Sequence, residues 1–173
     1  MKASAEHRSP AATAAAGEPH GEFTRLMKSA VAYSTEHVHN GGIPFTAFVV
    51  DGEFRVVGCG VNRVREHHDP LAHAEVEAIR DACRSVGSPS LHGMTLLASG
   101  EPCAMCYLTA LYAGISQVLF AVDRDEAAAQ GFDYRRTYAL FKSDPRQWSA
   151  LAAGKLEVDE GMQPFQAFRA RLR

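Results

Sequence analysis

Two short motifs combine side chains that bind metal ions with a carboxylate that can carry protons. The first covers residues 73–75 (His-Ala-Glu), and the second covers residues 102–106 (Pro-Cys-Ala-Met-Cys). One histidine and two cysteines suit Zn²⁺, and three protein ligands leave the fourth tetrahedral position open for water. An open position is typical of a catalytic zinc site rather than a structural one. The motifs therefore predict one zinc ion per chain, bound by His73, Cys103 and Cys106.

The carboxylate of the first motif is Glu75, which lies two residues after the histidine. At that spacing it can reach a metal-bound water without binding the metal. A carboxylate there can take a proton from the water and deliver it to a ring nitrogen and to a leaving amine. The pattern H-x-E followed by P-C-x-x-C is the signature of zinc nucleobase deaminases. The sequence therefore predicts hydrolytic deamination, with Glu75 as the catalytic proton shuttle.

Three other interpretations of the motifs are open at this point. A redox dithiol formed by the two cysteines of the second motif would leave His73 and Glu75 without a role. A structural zinc site would need a fourth ligand such as Cys59, Cys83 or His92. Both of these cysteines fall in predicted core positions, because free cysteine behaves as a small hydrophobic residue. A non-catalytic binding module stabilised by zinc would have no use for a shuttle carboxylate.

The elements that position the motifs follow from the spacing of apolar residues. Apolar spacings of three and four predict helices, β-rich runs predict strands, and an Asp-Gly pair between two runs predicts a hairpin. The predicted helices cover residues 23–39, 72–86, 103–113, 125–130 and 135–141, with a last one from Pro164. The predicted strands cover residues 45–50, 54–61, 94–98, 118–122 and 156–158. A hairpin followed by alternating strands and helices predicts an α/β fold in three layers (α/β/α), with a mixed sheet of about five strands.

Composition predicts a single globular domain. The chain has 173 residues, of which 46% are hydrophobic and 22% are charged, and these values are ordinary for a soluble protein. Residues 1–20 show no helical or strand period, so they are predicted to form a disordered leader. Residues 21–173 then form the deaminase domain, with a C-terminal lid segment from about residue 161.

Charge and apolar patterning exclude several classes of partner. The net charge of −2 argues against an extended nucleic-acid surface. The longest apolar stretch, residues 109–122, is too short to span a bilayer, and no apolar run of a secretory signal is present at the start. Four cysteines in such a chain indicate the cytosol. We therefore expect a cytoplasmic protein that acts on a small molecule, without a membrane or nucleic-acid partner.

Further segments around the motifs carry a resemblance to a known family. They are residues 42–45 (Gly-Ile-Pro-Phe), 60–62 (Gly-Val-Asn), 69–76, 131–133 (Gly-Phe-Asp) and 164–168 (Pro-Phe-Gln-Ala-Phe). With these segments the chain resembles the cytidine deaminase-like superfamily, and within it the bacterial guanine deaminases. The zinc motifs are shared across the superfamily, whereas the Gly-Phe-Asp segment and the 164–168 segment are particular to the guanine deaminases.

The resemblance implies the same zinc ligands and the same shuttle, and it adds contacts to a nucleobase-like substrate. The residues implied to contact the substrate are Asn62, Ala74 through its carbonyl, Phe45 by stacking, Asp133 and Tyr134. His67 and His68 are expected at the rim of the pocket. The resemblance implies that a free amino-heterocycle is deaminated, guanine to xanthine with release of ammonia. It also implies a homodimer that is domain-swapped through its C-terminal segment.

Four positions depart from the family pattern, so the identity of the heterocycle that is deaminated is left open. Thr46 stands where a glycine is usual, Leu71 where a small residue is usual, and Gly100 where a cysteine is common. Guanine deaminases tend to carry a second acid directly after Gly-Phe-Asp, but here that residue is Tyr134. A cytosine or cytidine, pterin or triazine deaminase is the alternative, and a tRNA adenosine deaminase with the same core is disfavoured by the acidic charge balance.

An apolar stripe near the end of the chain must be buried somewhere. Phe165 and Phe168 are three residues apart, and Leu172 follows on the same helix face. The resemblance places this stripe across the pocket of a partner chain. Docking on its own domain is the alternative.

Overall fold

The centre of the fold is a mixed sheet with four strands among the residues described. The structure is a computed structural model that describes residues 19–144, Lys155 and residues 162–170. Its strands are β1 (Thr46–Val50), β2 (Val56–Val61), β3 (Thr95–Gly100) and β4 (Gln117–Val122). They stand in the order β2-β1-β3-β4, with β1 antiparallel to both neighbours and β3 parallel to β4. The predicted mixed sheet is confirmed, while the strand predicted over residues 156–158 lies outside the described residues.

Helices cover both faces of this sheet. They are α1 (Pro19–His39), α2 (Val64–His67), α3 (Ala74–Val86), α4 (Ala104–Tyr112), α5 (Arg124–Ala129), a 3₁₀ helix (Arg135–Lys142) and α6 (Gln163–Ala170). Side chains alternate along β1, so Ala47 and Val49 pack in a core with α3 and α4, while Val50 packs with Leu26 of α1 on the other face. The predicted three layers are confirmed. Both metal-binding motifs stand at the starts of helices on one face. Among the described residues, no helix is long and apolar enough to cross a membrane.

Helix α1 begins inside the segment that the sequence predicts to be a disordered leader. Residues 1–18 lie outside the described residues, but Pro19 and His20 already belong to the helix. Proline suits a first helical turn, because its missing N–H would have no partner within the helix there. The leader prediction is therefore wrong for residues 19 and 20, and for residues 1–18 it stays a prediction.

The connection between β1 and β2 is longer than the predicted Asp-Gly turn. It spans residues 51–55, and the residue in the left-handed region is Phe54, with φ of 60°. The Asp51 carboxylate accepts hydrogen bonds from the backbone N–H of Arg55 at 3.0 Å and from its side-chain Nε at 2.8 Å. Because these bonds close a larger loop, β2 begins two residues later than the pattern predicts.

The closest packing between sheet and helix joins β2 to α3, and we call this contact the β2–α3 seam. A Cβ atom added to Gly60 would overlap the carbonyl oxygen of Ala74 and the backbone nitrogen of Ala78. A Cβ atom added to Gly58 would overlap backbone atoms of Ala78 and Ala82. The two backbones therefore lie in direct contact, which fixes the first turn of α3 and with it the first metal-binding motif.

We expect Gly60→Ala to destabilise the folded chain by about 1–3 kcal/mol, the usual cost of forced overpacking. Gly52→Ala is the matched control, because nothing lies within 4 Å of a Cβ atom at Gly52. Urea unfolding of the two variants and the unmodified chain measures the difference. Equal midpoints for the two variants would show that the seam has room for a side chain.

Candidate active site

The three predicted zinc ligands meet where α3 and α4 begin. His73 immediately precedes α3 and Cys103 immediately precedes α4, both with extended backbone angles. Cys106 lies in the first turn of α4. The positive end of a helix dipole favours a thiolate over a thiol, so both cysteines stand where metal binding is easiest.

The spacing of the donor atoms fits a zinc ion. Nδ1 of His73 lies 3.7 Å from Sγ of Cys103 and 3.5 Å from Sγ of Cys106, and the two sulfur atoms are 3.6 Å apart. A tetrahedron with Zn–S bonds of about 2.3 Å and Zn–N bonds of about 2.1 Å has S···S edges of about 3.8 Å and S···N edges of about 3.6 Å. The three observed distances therefore match three edges of a zinc tetrahedron.

No fourth protein ligand joins this cluster within the part of the chain that the structure describes. Cys83 lies on α3 and packs against the core, as predicted. Cys59, also predicted as a core residue, is exposed, so that prediction is wrong. It lies on the edge strand β2, where its backbone N–H donates to Asp81 of α3 at 3.1 Å. A three-ligand site suits catalysis, because it leaves a coordination position open.

Glu75 is buried directly beside the ligand triangle. It is 5% exposed, and the Cys106 thiol donates to its Oε2 at 3.4 Å. Burial raises the pKa of Glu75, because the charged form loses its hydration. Hydrogen bonds from Cys106 and then His73 lower the pKa of the Cys103 thiol to about 4. The site thus places a ready thiolate next to a carboxyl group that can hold a proton.

A cavity of about 240 Å³ opens onto this cluster. Six of the predicted site residues line it: Phe45, Asn62, His73, Glu75, Cys103 and Tyr134. Four lining residues were not predicted from the sequence: Ile43, Val64, Arg65 and Glu101. The cavity therefore combines apolar walls with a few polar groups, as small-molecule sites commonly do.

Asn62 is held in place from both sides. Its side-chain Oδ1 accepts the backbone N–H of Val64 at 3.3 Å, and its backbone oxygen lies 3.1 Å from Nε2 of His37. His37 is partly buried, and its contact with Asn62 ties α1 to this wall. With Oδ1 engaged, the amide nitrogen of Asn62 is the group left to face a ligand.

Phe45 forms an aromatic wall rather than part of the closed core. It is partly buried and meets Phe132 edge-on, with ring centroids 5.2 Å apart at 90°. A Cβ atom added to Gly100 would lie 2.9 Å from the Phe45 ring, so the glycine at this position makes room for the ring.

Two predicted substrate contacts lie away from the cavity wall. The side chain of Asp133 is 53% exposed and pairs with Arg135 at 2.7 Å, which lowers the pKa of Asp133 to about 2. Ala74 is buried in the core, with its carbonyl oxygen against Gly60. Asp133 therefore points to solvent as an ion pair, and Ala74 serves the β2–α3 seam. The two histidines predicted at the rim are exposed, and the rim residue that lines the cavity is Arg65.

The four departures from the family pattern differ in how close they come to the cavity. Tyr134 lines it, and Gly100 touches it through Phe45. Thr46 is buried within β1, where its hydroxyl has no partner among the described residues. Leu71 is 49% exposed. Of the four, only Tyr134 and Gly100 can therefore act on a bound ring, because only they form or contact the cavity wall.

Glu101 is a second buried carboxylate at the cavity, and no sequence pattern predicted it. Its Oε2 accepts the backbone N–H and the side-chain Nε of Arg124, each at 2.9 Å. This pairing lowers the pKa of Glu101. The Glu101 carboxylate is therefore ionised, and the positive charge of Arg124 balances it. Glu101 cannot hold a proton as Glu75 can. Its position just before the second motif was a signal, but its partner comes 23 residues later, and no local pattern links the two.

Two tyrosine hydroxyls fasten the loop that carries Cys103. The hydroxyl of Tyr134 donates to the carbonyl oxygen of Glu101, and that of Tyr138 donates to the carbonyl oxygen of Pro102, both at 2.6 Å. The Arg124 guanidinium lies over the Tyr138 ring, 3.8 Å from its centroid. Tyr134 is therefore a positioning residue whose hydroxyl is already engaged, and burial raises its pKa.

Comparisons with known proteins agree with this geometry. The family model for the cytidine and deoxycytidylate deaminase zinc-binding region matches residues 21–122. Guanine deaminase of Bacillus subtilis (strain 168) is 37% identical over 146 residues, which cover 83% of this chain and 92% of that protein. The X-ray structure of guanine deaminase from Bacillus subtilis matches with a TM-score of 0.76 at 34% identity, covering 85% of this chain and 93% of that chain.

A relative with a different named activity is also similar. The tRNA-specific adenosine deaminase of Aquifex aeolicus is 34% identical over 96 residues, 56% of this chain and 63% of that protein. The predicted fold, zinc cofactor and enzyme class are confirmed by these matches together. The chain belongs to the family of zinc-binding cytidine and deoxycytidylate deaminases, hydrolases that act on C–N bonds.

Proposed function

We propose that this chain deaminates guanine to xanthine and releases ammonia. The observation that carries the proposal is the buried Glu75 carboxylate, which lies against the ligand triangle on the wall of a small cavity. The guanine deaminase of Bacillus subtilis, similar over most of both chains, supports guanine as the ring. A cavity of about 240 Å³ has room for one flat heterocycle, and the net charge of −2 does not favour a tRNA partner.

Each residue of the site has a defined part in this reaction. His73, Cys103 and Cys106 would hold the zinc ion, which when bound supplies an activated water for attack on the amine-bearing ring carbon. Glu75 Oε2 takes a proton from the attacking water and passes it to a ring nitrogen. Glu75 then takes the remaining proton from the hydroxyl group now bonded to the ring carbon and gives it to the leaving amine, so that the C–N bond breaks, ammonia departs and a carbonyl remains. Asn62 orients the ring edge through its amide nitrogen, and Phe45 closes one side.

The described acids other than Glu75 have no free proton-transfer role at the cavity. Glu101 is paired with Arg124, and Asp133 is paired with Arg135 at the surface. We therefore propose that one carboxylate performs both proton transfers. The substrate contact predicted through the carbonyl oxygen of Ala74 stays a prediction, because that oxygen lies against Gly60 in the β2–α3 seam.

We also propose a homodimer in which the C-terminal segment of one chain closes the cavity of the other. On α6, the side chains of Phe165 and Phe168 are 64% and 59% exposed. Aromatic side chains three residues apart on one helix face form a stripe that favours burial against another surface. Closing the cavity would exclude water during proton transfer. The cytoplasmic location predicted from the cysteines stays a prediction.

An ammonia-release screen over purines, pyrimidines, their nucleosides, pterins and triazines tests the proposed substrate. We expect guanine to give the highest kcat/KM.

The Glu75→Gln protein should keep zinc and fold but lose about 10²–10⁴ in rate, because general acid–base help is absent. Glu36→Gln, an exposed glutamate on α1, is the matched control and should retain full activity. Preference for another ring would reject guanine, and near-normal turnover by Glu75→Gln would reject the shuttle.

Metal analysis tests the proposed ligands. The unmodified chain should bind one zinc ion per chain, and Cys103→Ala should lose most of it, because three protein ligands are the minimum for such a site. Cys59→Ala is the matched control, since this exposed cysteine lies outside the cluster. Stoichiometric zinc in Cys103→Ala after dialysis would overturn the ligand assignment.

Mixing two impaired variants tests the exchanged tail. Deleting residues from Gln163 onward should lower activity while zinc content and fold survive, because the cavity stays open to water. In a mixed dimer with Glu75→Gln, one site then combines an intact Glu75 with a donated tail, so activity should reappear. Absence of recovery in a purified heterodimer would show that the tail acts on its own chain.

A further inference from the structure

Arg65 contributes a basic side chain to the wall of the cavity. It belongs to the single-turn helix α2, its side chain lines the cavity, and it is exposed. The other arginines near the site are occupied: Arg124 pairs with Glu101, and Arg135 pairs with Asp133. Within the described ranges, no hydrogen bond or ion pair engages the guanidinium of Arg65. Apart from the metal-binding His73, it is the one basic side chain lining the cavity there.

Burial gives the cavity an inner and an outer end. Glu75 is buried at the inner end, beside the zinc ligands, whereas Arg65 is exposed at the outer end. Between the two ends, Ile43, Phe45 and Val64 provide apolar walls. Glu101 on the same wall is already neutralised by Arg124, so it does not compete for Arg65. A flat ring that extends from the buried Glu75 toward solvent can therefore meet the guanidinium of Arg65, a fork with five donors.

We propose that Arg65 determines specificity by donating paired hydrogen bonds to two acceptor atoms on the ring edge remote from the reacting carbon. This proposal rests on the proposed guanine deaminase function. With the amine-bearing C2 of guanine at the inner end, the five-membered ring faces outward, and the acceptors O6 and N7 share one edge. A guanidinium fork matches the O6/N7 pair of guanine in bidentate geometry.

The same fork also matches the oxygen atoms of a phosphate group. A substrate phosphate is therefore the other possible source of paired acceptors. The small volume of the cavity favours the ring edge, because a nucleotide would need space for its sugar as well. We assign Arg65 to the ring, and the two sources give different results in the experiment below.

Steady-state kinetics with guanine and 7-deazaguanine test the proposal. The second substrate replaces N7 by a C–H group and keeps O6. For the unmodified chain we expect kcat/KM to fall about tenfold or more on this replacement, since a bidentate pair discriminates bases by roughly 10-fold to 100-fold. Arg65→Gln should lose a similar factor with guanine, mainly through KM, and should treat both rings alike. Arg65→Lys keeps the charge but lacks the fork, so it should recover only part of the preference.

Arg63→Gln is the matched control. Arg63 is also exposed and stands two residues away, but it lines a different groove beside Glu77 and Asp81. This variant should keep both the activity and the preference for guanine. A purely structural effect of Arg65→Gln would lower kcat/KM equally for guanine and 7-deazaguanine, and that result overturns the proposal. An effect confined to guanosine monophosphate would assign Arg65 to a phosphate instead, and it also overturns the proposal.

If guanine is not the substrate, the kinetics differ from those that would overturn the role of Arg65. If the unmodified chain releases no ammonia from guanine, the proposed function is rejected before any variant is compared. The ring that the screen identifies then decides the role of Arg65. A raised KM of Arg65→Gln for a ring with paired acceptors supports the proposal, and an unchanged KM overturns it.

Discussion

The site depends on the close approach of the first turns of α3 and α4. Together they place three donor atoms at corners of one small tetrahedron. His73 and Cys103 come from different helices, yet their donor atoms lie 3.7 Å apart. A shift of either helix by an ångström would break this match, because zinc–ligand distances tolerate only about 0.2 Å. The β2–α3 seam fixes one helix through direct backbone contact. The tyrosines around the 3₁₀ helix fix the loop before the other.

Two buried carboxylates, Glu75 and Glu101, line the same cavity but differ in the charged groups around them. Glu101 is bound by Arg124 through backbone and side chain, so its negative charge is fully matched. Among the described residues Glu75 has no arginine or lysine partner, and burial raises its pKa. One carboxylate therefore stabilises the ligand loop, while the other is free to exchange protons. Two acids in one cavity can differ in role through their neighbours alone.

Local patterns predicted most of the fold and the centre of the site. The helix and strand periods gave the elements, and the two motifs gave His73, Glu75, Cys103 and Cys106, because their spacing within a helix turn already carries the geometry. Contacts between distant segments were not predictable. The Glu101–Arg124 pair, the exposed position of Cys59 and the diversion of Asp133 to Arg135 all depend on tertiary packing. The loop closed by Asp51 likewise replaced the turn that its Asp-Gly pair indicated.

The β2–α3 seam also divides the molecule into a part that cannot vary and a part that can. Glycine and alanine at the seam leave no volume for larger side chains. A larger residue there would displace the first turn of α3 and with it the first metal-binding motif. The cavity wall also includes Val64 and Arg65 of α2, which stand apart from the seam and from the loop that carries Cys103. A mutant library aimed at α2 would therefore explore new ring specificities while the zinc site stays intact.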